Sequence, residues 1–241
     1  MDWPNPWYIM AGFTGASPIV TDGLVFAVDA ANYESYPGSG TTWGDLAGSN
    51  NGTLTNGPLF DSNNGGSIDF DGSNDYIDFG DFDNTQVSSA ITLSIWFNAS
   101  YSNLKLLIGN GGGWSAGGFC MFMYSNKVRF ELQGTGKKAL DIPTSFFGQW
   151  QNMVGTWENG GLMRGYVNGS QVVTTSGITA ISSNSDTGYL RMGGKGGNPG
   201  APGLGTGYAN ANIALTQIYS KALSASEILQ NYNSLKSRFN L

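Results

Sequence analysis

Histidine is absent from the 241-residue sequence, and Cys120 is its only cysteine. Without histidine, the chain can build no His-dependent catalytic triad, no imidazole proton shuttle and few kinds of zinc site. A single cysteine can form neither an intrachain disulfide nor a thiolate metal cluster. Oxygen-bearing and aromatic side chains are therefore left to carry whatever chemistry the protein performs.

Positive charge is also scarce, because no lysine or arginine precedes Lys105. The chain carries 17 acidic and 11 basic residues, a formal net charge of −6, and no basic run. That balance argues against nucleic acid and anionic membranes as partners. No window is apolar enough for a transmembrane helix, and the start, MDWPNPWYIMAGF, lacks the basic and apolar regions of a signal peptide. We therefore expect assembly in a cytoplasm and no membrane insertion.

Turn-forming residues are abundant, with 37 glycines and six Asn-Gly dipeptides. Asn-Gly is a strong signal for a two-residue hairpin turn, because both residues tolerate positive φ. Several of these dipeptides separate strand-like runs such as QNMVGTW, LMRGYV and QVVTTS. AITLSIWFNAS and NKVRFELQG are further strand candidates. Many short strands with frequent turns predict an all-β sandwich.

One helix is predicted near the C-terminus, in LSASEILQNYNSLKSRFNL. Ser224 suits the N-cap and Glu227 lies three residues later, which is the spacing of a capping box. Apolar residues then recur at helical spacing and give the helix one apolar face. We expect this helix, residues 224–241, to pack on a sandwich formed by residues 21–223.

The first twenty residues match neither the strand pattern nor the helical pattern. This segment, residues 1–20, combines prolines with aromatic residues, among them Trp3, Trp7, Tyr8 and Phe13. An aromatic arm outside the strand pattern has to bury its rings somewhere. Two destinations remain open, its own domain or a neighbouring subunit, and the second would make these four aromatics a partner-binding arm.

A series of motifs follows the order of strands in a known family. They are DGLVFAVDAANYESYPGSGTTWGDLAGSNNGTLTNGP, SIDFDGSNDYIDFG, ITLSIWFNAS, GQWQNMVGTWENGGLMRGYVNGSQV, YLRMGG and ANIALTQIYSKALSASEILQNY. Over residues 21–235 the chain resembles laminin-G-like, concanavalin A-type lectin/glucanase domains, in versions similar to those of tailed phages. The resemblance implies a two-sheet antiparallel jelly-roll sandwich that serves as a binding or adhesion module. The fold alone does not set the function.

The stretch SIDFDGSNDYIDFGDFD, residues 67–83, holds six aspartates. Its apolar residues alternate with carboxylates, which predicts a hairpin with the apolar set inside and most carboxylates outside. Asp71 and Asp75 flank the turn GSN and would meet across it, where a cation could bridge two like charges. The loop offers the oxygen types that calcium takes, although the EF-hand pattern is not met. Laminin-G-like domains also hold calcium at loop edges, so calcium at Asp71 and Asp75 is the one cofactor suggested.

Glycoside hydrolysis has to be considered, since glucanases of the resembled family carry two nearby glutamates on one strand. The glutamates of this chain are scattered: Glu34, Glu131, Glu158 and Glu227. Retaining glycosidases need two carboxyls about 5–5.5 Å apart, one of them with a raised pKa. The close aspartate pairs lie in stretches predicted to be exposed, where no burial would raise a pKa. We therefore expect no enzymatic activity.

Sugar binding would need an aromatic platform beside hydrogen-bonding side chains. Trp114 lies in a glycine-rich loop, GNGGGWSAGGF, that could expose its ring, with Asn110 and Tyr101 as neighbours in sequence. The glycines could equally let Trp114 fold back onto the sheet. Three other tryptophans are predicted to lie in the core: Trp96, Trp150 and Trp157.

Taken together, these features favour a non-enzymatic phage virion protein that displays a lectin-like sandwich on the particle surface. It would decorate the capsid or belong to a tail fibre, with other virion proteins as partners and a cell-surface glycan as a further ligand. The alternative is a free carbohydrate-binding module or lectin, in a calcium-dependent or a calcium-independent form. Sugar affinity through Trp114 would favour the free module, and assembly through residues 1–20 would favour the virion protein.

Overall fold

The computed structural model describes residues 17–101, 103–110, 118–134, 136–181, 188–194 and 207–241. These ranges contain sixteen strands: β1 (Leu24–Asp29), β2 (Thr42–Trp43), β3 (Gly52–Thr55), β4 (Leu59–Asp61), β5 (Ser67–Asp71), β6 (Tyr76–Phe82), β7 (Ala90–Ala99), β8 (Lys105–Asn110), β9 (Gly118–Tyr124), β10 (Lys127–Gln133), β11 (Lys137–Pro143), β12 (Gln151–Glu158), β13 (Leu162–Val167), β14 (Ser170–Ser176), β15 (Gly188–Met192) and β16 (Asn210–Tyr219). One α-helix, α1 (Ala225–Leu235), follows them. Short 3-10 turns cover Asn63–Gly65, Asn84–Val87 and Lys236–Phe239.

The strands form two antiparallel sheets of eight. Sheet A has the order β14-β13-β12-β7-β16-β5-β4, and β1 joins it beside β5, on the same edge of β16. Sheet B has the order β11-β10-β9-β8-β15-β6-β3-β2. The predicted class, an all-β two-sheet antiparallel sandwich with a short C-terminal helix, is confirmed.

The core lies between the sheets and follows from the alternation of apolar residues. In β7 the inward residues are fully buried: Ile91, Leu93, Ile95 and Phe97. Burying each such side chain contributes about 1.5–3 kcal/mol. Elsewhere in this core, Phe26 of β1 meets Phe79 of β6 edge to face, with ring centroids 5.1 Å apart. The two sheets are therefore held together by one continuous apolar layer.

Asn-Gly dipeptides at residues 159–160 and 168–169 join strands that pair, and only the second has the predicted positive φ at both residues. β12 pairs with β13, and β13 pairs with β14. Asn168 and Gly169 join β13 to β14 with φ values of 49° and 77°, the positive values that such a turn requires. These three strands form one edge of sheet A.

The predicted hairpin in residues 67–83 is wrong. β5 pairs with β16 and β4 in sheet A, whereas β6 pairs with β15 and β3 in sheet B. Residues 72–75 are therefore a corner between the sheets, which Gly72 helps to turn with φ at 81°. The predicted faces are nevertheless right, because Ile68 and Phe70 point into the core.

Helix α1 covers part of the outer face of sheet A. The capping box is present, since the Ser224 hydroxyl accepts from the Glu227 N–H and the Glu227 carboxylate accepts from the Ser224 N–H. Trp96 of β7 is buried against Tyr232 and Phe239, with ring centroids 5.6 and 4.4 Å away. Among the described helices, none is both long and apolar enough to cross a bilayer.

Candidate functional site

The three residues predicted to contact sugar do not come together. Trp114 lies outside the described residues, so its role stays a prediction. Tyr101 precedes β8 and Asn110 ends it, so the strand separates them by roughly 17 Å or more. Asn110 is buried, and its side chain donates to the Phe82 carbonyl and accepts from Asn84. The amide of Asn110 is therefore engaged in hydrogen bonds within the protein.

The other predicted aromatic is half-buried at the opposite end of β8. The Tyr101 hydroxyl donates to Asn103 Oδ1 at 3.2 Å, and its ring packs on Phe147 with centroids 5.1 Å apart. Both contacts anchor the loop that links β7 to β8.

Asp71 and Asp75 do meet at the corner between the sheets. Asp75 is buried and its Oδ2 accepts from the Asp71 N–H at 3.1 Å, while Asp71 Oδ1 accepts from the Ser73 N–H at 2.7 Å. The Ser73 N–H lowers the pKa of Asp71, and burial raises the pKa of Asp75. Both carboxyls therefore serve to close the turn.

The two carboxyls cannot satisfy calcium by themselves, and calcium at Asp71 and Asp75 stays a prediction. Calcium takes six to eight oxygen ligands, and each of the two carboxyls already has one oxygen engaged by a backbone N–H. Within the part of the chain that the structure describes, no group of three or more acidic, histidine or cysteine side chains could hold a metal ion. Asp45, in the loop between β2 and β3, is a further oxygen donor whose carboxylate is engaged, since it accepts from the N–H groups of Ala27, Ala47 and Asn50.

The predicted partner-binding arm also lies outside the described residues, which begin at Ser17. Its aromatics are Trp3, Trp7, Tyr8 and Phe13, and their docking stays a prediction. The described residues next to them are tied to helix α1: the Ser17 carbonyl accepts from Ser234 Oγ, and the Pro18 carbonyl accepts from Gln230.

The outer face of sheet B carries ion pairs flanked by aromatic rings. Arg191 donates to Asp78 Oδ2 from Nε at 3.2 Å and from Nη2 at 2.9 Å. Its guanidinium carbon lies 5.4 Å from the ring centroids of Tyr76 and Tyr189. Side chains on this part of the face therefore hold one another in place.

A second group of charges lies across the same face. Arg129 and Asp141 form a two-pronged pair at 2.6 and 3.0 Å, which lowers the pKa of Asp141 and raises that of Arg129. Glu131 is fully buried, and its Oε1 accepts from Lys137 Nζ at 2.9 Å. Burial, and then the nearby Glu131, raise the pKa of the Cys120 thiol well above its ordinary value, which disfavours the reactive thiolate form.

The outer face of sheet A differs, because helix α1 leaves one end of it open. There Asp69 of β5 lies beside Asn212 of β16, and Asn212 lies beside Asn98 of β7. Extending the register of β7 and β12 by one residue places Trp150 beside Asn98. We call Asp69, Asn212, Asn98 and Trp150 the polar row. It crosses four adjacent strands and is about 14 Å long at the usual strand spacing.

The polar groups of this row are largely unused by the fold. Asp69 is exposed, and Asn98 and Asn212 are partly exposed. In the described chain, the side chains of Asp69 and Asn98 make no hydrogen bond, and Asn212 makes one long contact of 3.5 Å to Ser67 Oγ. Desolvation by the surrounding sheet raises the pKa of Asp69, although its side chain is exposed at the surface, and the nearby charges of Asp61 and Asp71 raise it further. The row therefore presents carboxylate and amide groups that can bind a ligand.

Trp150 closes the row with an aromatic surface. It is partly exposed and packs against Phe239, with ring centroids 4.7 Å apart. The prediction that Trp150 lies in the core is therefore wrong, because it sits just before β12, at the end of the sheet. Trp96 and Trp157 are buried as predicted.

Sequence reasoning missed the polar row. Alternation in WFNAS does place Asn98 on the face opposite Phe97, and the aspartate-rich stretch does place Asp69 outward. The pairing of β16 with both strands was needed to bring these residues together, and no local pattern contains it.

Solved structures share the fold across most of this chain. One is a Trypanosoma rangeli sialidase in complex with sialic acid, with a TM-score of 0.64 and 15% identity over 95% of this chain and 36% of that one. A second is the binding domain of botulinum neurotoxin DC in complex with SialylT, with a TM-score of 0.63 and 16% identity over 89% of this chain and 52% of that one. A third is the binding domain of Paraclostridial mosquitocidal protein 1, with a TM-score of 0.64 and 17% identity over 88% and 52% of the two chains. This chain thus spans about a third to a half of their length, and at these identities the likeness shows the fold alone.

No curated protein matches by sequence. A laminin-G-type family model, described as the concanavalin A-like lectin/glucanases superfamily, matches residues 71–229, which is more than half of the chain. The matched region runs from the last residue of β5 into helix α1 and includes most of both sheets. By fold and by sequence, this chain belongs to the concanavalin A-like lectin/glucanases superfamily.

Proposed function

We propose that this chain is a non-enzymatic, lectin-like module that binds carbohydrate through the polar row. The observation that carries the proposal is the set of unpaired carboxylate and amide groups on a partly exposed sheet face beside Trp150. The bound sugars named for the sialidase and the neurotoxin binding domain agree with a glycan ligand.

The chemistry of the row suits sugar hydroxyls. A carboxylate accepts two or more hydroxyl hydrogens, while each asparagine amide both donates and accepts. The ring of Trp150 offers an apolar face for the C–H side of a pyranose, and Phe239 behind it limits its movement. The sheet fixes the backbone beneath these groups, so binding has to order only the side chains themselves.

The absence of enzymatic activity is part of the proposal. Asp71 and Asp75 have pKa values shifted in opposite directions, as acid and base partners do, but each carboxyl accepts a hydrogen bond from a backbone N–H at the turn between them. A retaining glycosidase needs two carboxyls about 5–5.5 Å apart on either side of a bound sugar, and a four-residue turn leaves no room for a sugar between these two. Glu131, buried and paired with Lys137, is no better placed to act as an acid.

A glycan array followed by calorimetry tests the binding site. We expect Asn98→Ala and Trp150→Ala each to weaken glycan affinity about tenfold, the size of one lost hydrogen bond or ring contact. Trp150→Phe should keep much of the affinity, because it keeps a ring. Asn233→Ala, on the exposed side of helix α1, is the matched control and should bind as the parent does.

Two outcomes would contradict the proposal. If no glycan on the array binds the parent protein, carbohydrate recognition is wrong. If a glycan binds equally well to the parent and to folded Asn98→Ala and Trp150→Ala variants, the site lies elsewhere.

We further propose that this protein is displayed on the surface of a phage particle, where capsid or tail proteins are its partners. Its support is the resemblance of the sequence to lectin-like domains of tailed phages and the aromatic arm in residues 1–20. An antibody probe of purified particles should find tens to hundreds of copies for a capsid decoration, or a handful for a tail fibre. No copies would leave the alternative, a free carbohydrate-binding module, whose calcium dependence a binding assay with chelator would test.

A further inference from the structure

The polar row lies in an acidic part of the surface. Asp69 belongs to the row, and Asp71 follows it two residues later on the same face of β5. Asp61 of β4 pairs with Ser67 and is diagonal to Asp69, a placement that separates side chains by about 7–8 Å. Both neighbours are close enough to raise the pKa of Asp69. A ligand on the row therefore lies close to three carboxylates.

Positive charge is scarce on the strands around them. The described strands β4, β5, β7, β12 and β16 contain no lysine or arginine. Arg164 of β13 lies beside Thr156, which is six residues along β12 from Trp150, or roughly 20 Å. Two further basic residues of the described chain lie in the turn after helix α1. There Arg238 is paired with Asp29 at 2.7 Å, and Lys236 lies 5.5 Å from the ring centroid of Tyr232.

We infer that the polar row selects uncharged oligosaccharides, about two or three sugar rings long, and disfavours sialylated ones. The inference rests on the proposed carbohydrate-binding function and adds the class of ligand. The length follows from the four strands that the row crosses, which span about 14 Å from Asp69 to Trp150. One ring stacks on Trp150, and the next rings reach the amides of Asn98 and Asn212 and the carboxylate of Asp69.

Electrostatics sets the discrimination. At the dielectric constant of water, one aspartate about 7 Å from a sugar carboxylate lowers the affinity for that sugar about two- to threefold. Three such aspartates together lower it about tenfold or more. Salt screens charges at this distance, so the discrimination shrinks to about threefold at physiological ionic strength. A preference that grows as salt is removed is therefore the signature of this mechanism.

Matched glycans test the inference. We would array oligosaccharides in pairs that differ only by a terminal sialic acid, and measure the best pair by calorimetry in 20 and 150 mM NaCl, salt conditions chosen to bracket the screening length. The uncharged member should bind at least about fivefold more tightly in low salt. Asp61→Asn and Asp71→Asn each remove one negative charge, so each should reduce the difference in affinity between the uncharged and the sialylated glycan. Both residues lie outside the row, so the affinity for the uncharged glycan should stay unchanged.

Each outcome decides a different claim. Tighter binding of the sialylated member would overturn the inference and leave carbohydrate binding intact. The inference would also be overturned if the difference in affinity between the two glycans changed neither with salt nor in the Asp61→Asn and Asp71→Asn variants. Charge would then not be the cause of that difference. Failure to bind any glycan would refute the proposed function, and the inference with it.

Discussion

Replacing Arg238 with methionine should lower the free energy of unfolding by about 3–5 kcal/mol. Its guanidinium has three partners: Nη1 donates to Asp29 Oδ1 at 2.7 Å, Nε to the Asn64 carbonyl at 2.6 Å, and Nη2 to the Gly66 carbonyl at 2.5 Å. Methionine keeps the apolar stem, so the loss falls on these contacts. Asp29 is buried, and without Arg238 its Oδ1 would keep only the Ala31 N–H as donor. An uncompensated buried carboxylate accounts for most of the expected loss.

Urea unfolding followed by tryptophan fluorescence would measure this loss. Arg238→Lys keeps the charge but cannot reach three partners in one plane, so it should lose about 1–3 kcal/mol. The double variant Asp29→Asn with Arg238→Met should lose clearly less than the sum of the two single variants, because the buried charge is then gone. A loss below about 1 kcal/mol for Arg238→Met, or strictly additive losses, would refute the reasoning.

Three further outcomes are expected. Ser224→Ala should cost about 1 kcal/mol in urea unfolding, because it removes one half of the capping box. The pKa of Glu227 is lowered to about 2, so its contribution to stability is present above pH 4.5 and lost as the pH falls toward 2; Glu227→Gln should flatten the dependence of melting temperature on pH in that window. Gly155→Ala should lose about 1–3 kcal/mol, because a Cβ there would lie 2.5 Å from the Phe130 ring, whereas Gly136→Ala, with open space around it, should change little.

The sequence is informative wherever the determinants are local. The alternation in AITLSIWFNAS depends only on strand geometry, and β7 is found there with its predicted face inward. The capping box of Ser224 and Glu227 is likewise formed by residues three positions apart. Asn-Gly predicts the turn at residues 168–169 because both residues accept positive φ.

Prediction fails where partners are distant in sequence. The same alternation is compatible with a hairpin and with a corner between two sheets, so residues 67–83 gave the right faces and the wrong partners. The polar row joins Asp69, Asn98, Trp150 and Asn212. The register of β16 with β5 and β7 brings the first, second and fourth together, and the register of β7 with β12 adds Trp150. Exposure could not be read from the strand pattern either, since Trp150 stands at a strand end.

The position of β16 has a consequence for synthesis. This strand lies inside sheet A, where its edges contact β7 on one side and β1 and β5 on the other, yet it is the last strand to be translated. At a translation rate of about 5–20 residues per second, β16 is synthesised roughly 10–40 s after β1, the strand with which it pairs. During that time β7 and β5 each have an unpaired edge that can pair with other nascent chains. Sheet A can therefore be completed only after β16 has been translated and has inserted between β7 on one side and β1 and β5 on the other.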